Sequence, residues 1–214
     1  MAANKSKLCI IPSTVVSAAC LTTLLSSPAF AININDEVAP TLSDAFKYYD
    51  SSNAYPNVAA FVNKSAFCTG TLINSRTILT AAHCSGITTN STVSFSPIAS
   101  AGAEVSSVVR NKNFVGGNIL TSDIALVSLD NPSAATPVTL ISQAASNPPV
   151  GTVLTIAGYG RYGTGTECCG RGGRRRIANI ELGAYQTIYG QNYIMAQFRN
   201  PASPDNPNKF NIAG

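Results

Sequence analysis

The sequence predicts an all-β fold, and three observations carry that expectation. Short runs rich in β-branched and small residues recur from residue 58 onward. Clusters of Gly, Pro, Ser and Asn separate those runs and mark turns. No stretch of ten or more residues carries the apolar period of an amphipathic helix, and nothing repeats at a fixed interval. Many short strands with frequent turns close into a barrel or pack as a sandwich.

The first segment, residues 1–31, reads as a targeting signal. Lys5 and Lys7 give a short positive region, Leu8 to Leu25 is mostly apolar and uncharged, and Ala29-Phe30-Ala31 is a small-x-small cleavage site. That order of parts is a secretory signal peptide cut after Ala31. The apolar run is broken by Ser, Thr and Pro and falls short of the about 20 residues a bilayer span needs. Cleavage leaves 183 of the 214 residues, with no later stretch apolar enough for a membrane anchor, so a secreted or extracytoplasmic protein is expected. Loss of Lys5 and Lys7 lowers the formal charge from +4 to +2, too little for a general nucleic-acid binder.

Residues 32–55 follow as a leader, with at most one helical turn at Ala45 to Tyr49, and the main domain runs over 56–214. Its predicted strands are Val58 to Val62, Ala66 to Ile73, Thr77 to Thr80, Thr92 to Phe95, Val105 to Arg110, Ile124 to Leu129, Val153 to Ala157 and Ile177 to Leu182. Asn131 to Val150 is proline-bearing and lacks alternation, so it reads as a connector between a complete first barrel and a shorter second set of strands. Cys9 and Cys20 leave with the signal. Cys68, Cys84, Cys168 and Cys169 remain as bridge candidates in an oxidising compartment.

Two segments carry candidate chemistry. In Ala66-Phe67-Cys68-Thr69-Gly70-Thr71-Leu72-Ile73 and Thr77-Ile78-Leu79-Thr80-Ala81-Ala82-His83-Cys84, a strand, a turn and a second strand lead into a tight small-residue end that presents His83. His83 is the sole histidine. A lone histidine is by default a hydrogen-bonded packing residue, but its setting at a strand end suits proton transfer near neutral pH. In Ser122-Asp123-Ile124-Ala125-Leu126-Val127-Ser128-Leu129, an Asp opens an apolar strand. Its ordinary reading is a turn or strand cap, and its alternative is a carboxylate shielded at a barrel edge.

These segments resemble the trypsin/chymotrypsin family of serine endopeptidases. Thr80-Ala81-Ala82-His83-Cys84 with the upstream Cys68-Thr69-Gly70 run is similar to the family's histidine motif, and Asp123-Ile124-Ala125-Leu126 to its aspartate strand. Thr155-Ile156-Ala157-Gly158-Tyr159-Gly160 resembles its Gly-Trp-Gly strand, with Tyr in place of Trp. The resemblance implies a trypsin-like double β-barrel, with the first barrel complete and the second incomplete. It also implies a Cys68–Cys84 disulfide, His83 as general acid/base and Asp123 as its orienter, and polypeptide substrates cleaved through an acyl-enzyme. No cofactor or metal is expected.

The sequence departs from the family at the nucleophile. It contains no Gly-Asp-Ser-Gly-Gly segment, and the one serine after Gly160 is Ser203, flanked by Pro201 and Pro204. The expectation is therefore an endopeptidase domain that is inactive alone, interrupted before its nucleophile. The alternatives are an exported protease-like binding domain or the front part of a larger exported passenger protein. No Ile-Val-Gly-Gly activation segment is present either.

Two features stand outside this scheme. Cys168-Cys169 either forms a vicinal bridge or, more commonly for adjacent cysteines, each seeks another partner. A zinc site combining them with His83 and Cys84 matches no familiar ligand spacing. Arg171-Gly172-Gly173-Arg174-Arg175-Arg176 reads first as a solvated basic turn, with a processing site or a patch for acidic glycans or nucleic acid as its alternatives.

Overall fold

The computed structural model describes residues 30–34, 41–62, 67–116, 119–141, 147–164, 170 and 172–196. Residues 1–29, which hold most of the expected signal peptide, and Cys168, Cys169, Arg171 and Ser203 lie outside them. Eleven strands are present among the described residues. They are β1 (Phe30–Ile34), β2 (Val58–Val62), β3 (Phe67–Asn74), β4 (Thr77–Thr80), β5 (Thr92–Ser94) and β6 (Ala103–Arg110). The remainder are β7 (Ala125–Leu129), β8 (Val153–Gly158), β9 (Arg161–Thr164), β10 (Arg176–Ile188) and β11 (Gln191–Ala196).

Strands β2 to β7 close into an antiparallel barrel in the order β2-β3-β4-β7-β6-β5, with β5 returning to β2. Period-two alternation explains why they do so. In β7, Ala125, Val127 and Leu129 are buried while Leu126 faces out; in β4, Ile78 and Thr80 point inward. Phe61, Leu72, Ile78, Val93, Val105, Val127 and Leu129 form one contiguous core. Each such side chain contributes about 1.5–3 kcal/mol on burial. Gly70 permits a close approach in this core, because a Cβ there would lie 2.5 Å from Ile78 Cγ2 and 2.9 Å from Phe61 Cε2.

The second half is an open antiparallel sheet, β11-β10-β8, with β9 paired in parallel to β1 beside it. The β10–β11 hairpin turns at Tyr189 and Gly190, both with positive φ (51° and 74°), the backbone a two-residue type I′ hairpin needs. A closed barrel followed by a partial sheet matches the expected fold. The strand over Ile177 to Leu182 continues to Ile188. Its register shifts between Leu182 and Ala184, so Gly183 marks a bulge rather than an end. The expected cleavage point after Ala31 falls within β1.

Residues 41–55, expected as a leader, pack against this second sheet. A 3-10 helix spans Leu42–Tyr48, and its Ala45 is buried against Ala178, Ile156 and Ile180. Asp50 is buried as well, in an ion pair with Arg175 (Nε to Oδ2, 2.8 Å).

The solvated-turn expectation for the arginine cluster is overturned at two positions. Arg175 and Arg176 retain 0% and 2% of their exposure. The physical reason is that the fold supplies partners for the guanidinium. Arg175 donates from Nη1 to the carbonyls of Val58 (3.0 Å) and Phe95 (3.1 Å) and to the Tyr159 hydroxyl (2.9 Å), and from Nη2 to Asn53 Oδ1. Arg176 lies against the rings of Tyr162 and Tyr49, with its guanidinium carbon 3.5 and 4.9 Å from their centroids.

Candidate functional site

The barrel register brings His83 and Asp123 together. Strands β4 and β7 are antiparallel neighbours with Thr80 opposite Ala125. The chain three residues beyond Thr80 and two residues before Ala125 therefore emerges at the same barrel end. On one side, Ala81 and the buried Ala82 turn the chain tightly after β4. On the other, Ser122 adopts φ 57° and its carbonyl accepts the Ile124 N–H at 2.8 Å, which sets the angle at which Asp123 leaves the strand.

The two residues, 40 apart in sequence, are joined twice. His83 Nδ1 lies 2.6 Å from Asp123 Oδ2, and the His83 backbone N–H donates to Asp123 Oδ1 at 2.8 Å. The carboxylate thus fixes both the backbone and the ring of the histidine. A carboxylate only accepts, so the imidazole proton in this contact sits on Nδ1 and leaves Nε2 as the basic nitrogen. The Asp123 side chain retains 13% of its exposure and that of His83 44%, so the carboxylate is shielded while the imidazole remains open to a reacting group.

Cys84, next to His83, forms a disulfide with Cys68 of β3, with a Cα–Cα distance of 6.3 Å. The bridge ties the histidine segment to the barrel wall and commits the Cys84 sulfur, which is not free as a metal thiolate. Among the described residues no group of three or more His, Cys, Asp or Glu side chains is arranged to hold a metal ion. No helix of the described residues is long and apolar enough to cross a membrane.

The third motif joins the first two. The Tyr159 N–H donates to Thr69 Oγ1 at 3.0 Å, and Thr80 Oγ1 donates to the Thr69 carbonyl at 2.9 Å. Segments far apart in sequence therefore meet through one threonine. The Tyr159 ring is fully buried, and its hydroxyl donates to the Ser96 carbonyl at 2.6 Å while accepting from Arg175. Burial pushes the Tyr159 phenol above its ordinary range, and the positive charge of Arg175 offsets only part of that.

Sequence reasoning missed one residue that touches the histidine segment. Arg110, the last residue of β6, donates to the carbonyls of Ala82, Cys84, Ser85 and Ile87. An arginine at a strand end reads as a solvated terminus, and nothing local in the sequence says otherwise.

Comparison with known proteins gives a consistent picture. The sequence model of the trypsin family matches residues 48–199. Among curated proteins, the chain is 35% identical over 111 residues to alpha-fibrinogenase albofibrase from Trimeresurus albolabris, and 33% identical over 111 residues to snake venom serine proteinase 8 from Crotalus adamanteus. Each match covers 48% of this chain and 42% of the relative, so the chain spans less than half the length of the curated relatives it matches. Among solved structures, neuropsin, a serine protease expressed in the limbic system of mouse brain, superposes with a TM-score of 0.51 at 23% identity, over 64% of both chains. HL collagenase superposes with a TM-score of 0.52 at 20% identity, over 64% of this chain and 62% of that one. At those identities the two structures speak for the fold alone.

Proposed function

This chain belongs to the trypsin family, and on that premise we propose that it carries the base half of a secreted serine endopeptidase site. His83 is the general acid/base and Asp123 its orienting carboxylate. The observation that supports this most strongly is the double tie between them, 2.6 Å to the ring and 2.8 Å to the backbone. In such a site Nε2 takes the proton of the attacking hydroxyl and later returns it to the leaving amine, while the aspartate holds the tautomer and stabilises the imidazolium. The substrates are polypeptides, and the mature chain is secreted with its signal peptide removed after Ala31, a setting in keeping with a relative whose name places it in venom.

A base and its carboxylate do nothing without a nucleophile. The sequence holds no Gly-Asp-Ser-Gly-Gly segment, so these residues supply neither the attacking serine nor the oxyanion donors, and they are inactive alone. The same observation favours a second reading, an exported protease-like domain that binds partners without cutting.

A fluorophosphonate probe, which labels an activated serine, separates the two. Applied to the native secreted protein, it labels a species containing this chain on the enzyme reading, and His83→Ala abolishes the label. A correctly folded native protein that resists labelling leaves the binding reading in its place.

A further inference from the structure

We infer that Arg110 is a positioning residue for His83, holding the histidine segment in register with Asp123. This inference rests on the assignment of His83 and Asp123 as base and carboxylate. The segment that follows β4 turns four carbonyls, those of Ala82, Cys84, Ser85 and Ile87, toward a single point. Arg110 fills that point: Nε donates to Ala82 at 3.3 Å, and Nη2 to Ile87 at 2.8 Å and to Cys84 and Ser85 at 3.3 Å. Converging carbonyl dipoles repel one another unless a cation lies among them, and the planar guanidinium fork meets several at once where an ammonium meets fewer.

What makes the contact functional is the other end of the arginine. Arg110 is paired with Ala125 across the β6–β7 ladder, and the N–H of Asn111 donates to the Ile124 carbonyl at 2.9 Å. The backbone that fixes Arg110 is therefore the backbone that launches Asp123, two residues before Ala125. Through its guanidinium Arg110 carries that frame across to the residues flanking His83. The disulfide fastens the same segment to β3, on a different strand of the barrel. Arg110 is the anchor that refers His83 to its carboxylate.

The test is amide hydrogen exchange and imidazole NMR on the isotope-labelled full chain, in which the sole histidine gives an unambiguous signal. In Arg110→Met the His83 amide, bonded to Asp123 Oδ1, exchanges about tenfold faster, as loss of a local charged anchor implies. The Nδ1–H resonance broadens or vanishes, and the β4–β7 ladder amides keep their protection. Arg110→Lys gives a smaller change of the same pattern and serves alone if the methionine variant does not fold. Arg76→Met, which removes a guanidinium from the Asp130 carbonyl elsewhere on the barrel, leaves His83 unchanged. Unaltered His83 exchange in both Arg110 variants, or equal acceleration of every amide, overturns the proposal. Asp123→Ala tests the underlying reading separately. If it leaves the His83 amide and imidazole signals as in the wild type, the base-and-carboxylate assignment fails, and the role of Arg110 fails with it.

Discussion

The closed barrel and the open sheet are held together by different chemistry. In β2–β7 the interior is aliphatic and aromatic, and every strand contributes to a core that closes on itself. In β8–β11 the described apolar interior is small, with Ala178, Leu182 and Tyr159 buried, and the largest buried side chains are Arg175 and Arg176. A barrel excludes water from its centre by closure. A three-stranded sheet has no such interior, and here a buried cation reaching into the barrel's own carbonyls takes the place of part of a core. The lesson is that one half is stabilised by area and the other by a few polar contacts whose loss is sharply felt.

The sharpest way to break that contrast is Arg175→Met. Removing the cation leaves the Asp50 carboxylate buried without its partner, which costs about 3–5 kcal/mol, and the loss is read by urea unfolding. Adding Asp50→Asn to that variant should recover part of it; a double variant no better than the single one would show that the charge pair is not the source. Acid should act on the same contact. Burial alone would raise the Asp50 carboxyl, but the N–H groups of Ala54 and Tyr55 and the Arg175 guanidinium outweigh it and hold the group below its ordinary value of 3.8. Its contribution is therefore complete above that pH and drains away as the pH falls through the lower folded-state value. Thermal midpoints should drop below about pH 4, and Asp50→Asn should remove part of that dependence.

In the barrel the largest single effect should come from the disulfide. Replacing Cys68 and Cys84 by serine opens a 16-residue separation and costs about 3 kcal/mol in the chain-entropy model, measurable as a lower urea midpoint. Next comes Gly70→Ala, whose methyl meets Ile78 and Phe61 and should destabilise by about 1–3 kcal/mol through overpacking. A neutral result there would show that the core yields more easily than its close packing implies. The smallest, back in the open-sheet half, is Tyr159→Phe, which deletes the hydroxyl between Arg175 and the Ser96 carbonyl for about 1 kcal/mol. If it equals Arg175→Met in effect, the hydroxyl and not the ion pair is the centre of the polar contact.

The same division decided what could be read from the sequence. Val58–Val62 and Thr77–Thr80 have the bounds their patterns predict, because alternation and turn residues reflect the barrel directly. Thr80-Ala81-Ala82-His83-Cys84 and Asp123-Ile124-Ala125-Leu126 pointed to two residues that the β4–β7 register does bring within 2.6 Å. Strands β9 and β11 were missed because Arg161–Thr164 is short and glycine-bearing, and Gln191–Ala196 opens on two polar residues and runs its apolar residues together without alternation. The burial of Arg175 and Arg176 was illegible for a deeper reason. An arginine run looks the same whether its partners are water or protein groups, and three partners of Arg175, namely Asp50, Val58 and Phe95, lie 80 to 125 residues away. Arg110 escaped notice on the same ground.

Tyr159 and Arg175 also constrain how this molecule can evolve. The hydroxyl of the one accepts a hydrogen bond from the other, so a change at either position is felt at its partner. Replacing Tyr159 by tryptophan withdraws an acceptor and substitutes an indole N–H, a second donor facing a cation. A variant that takes tryptophan there should be better tolerated when the arginine, and with it Asp50, is given up as well. Tryptophan at 159 with Arg175 and Asp50 still in place should therefore fold less stably than the variant in which all three have changed.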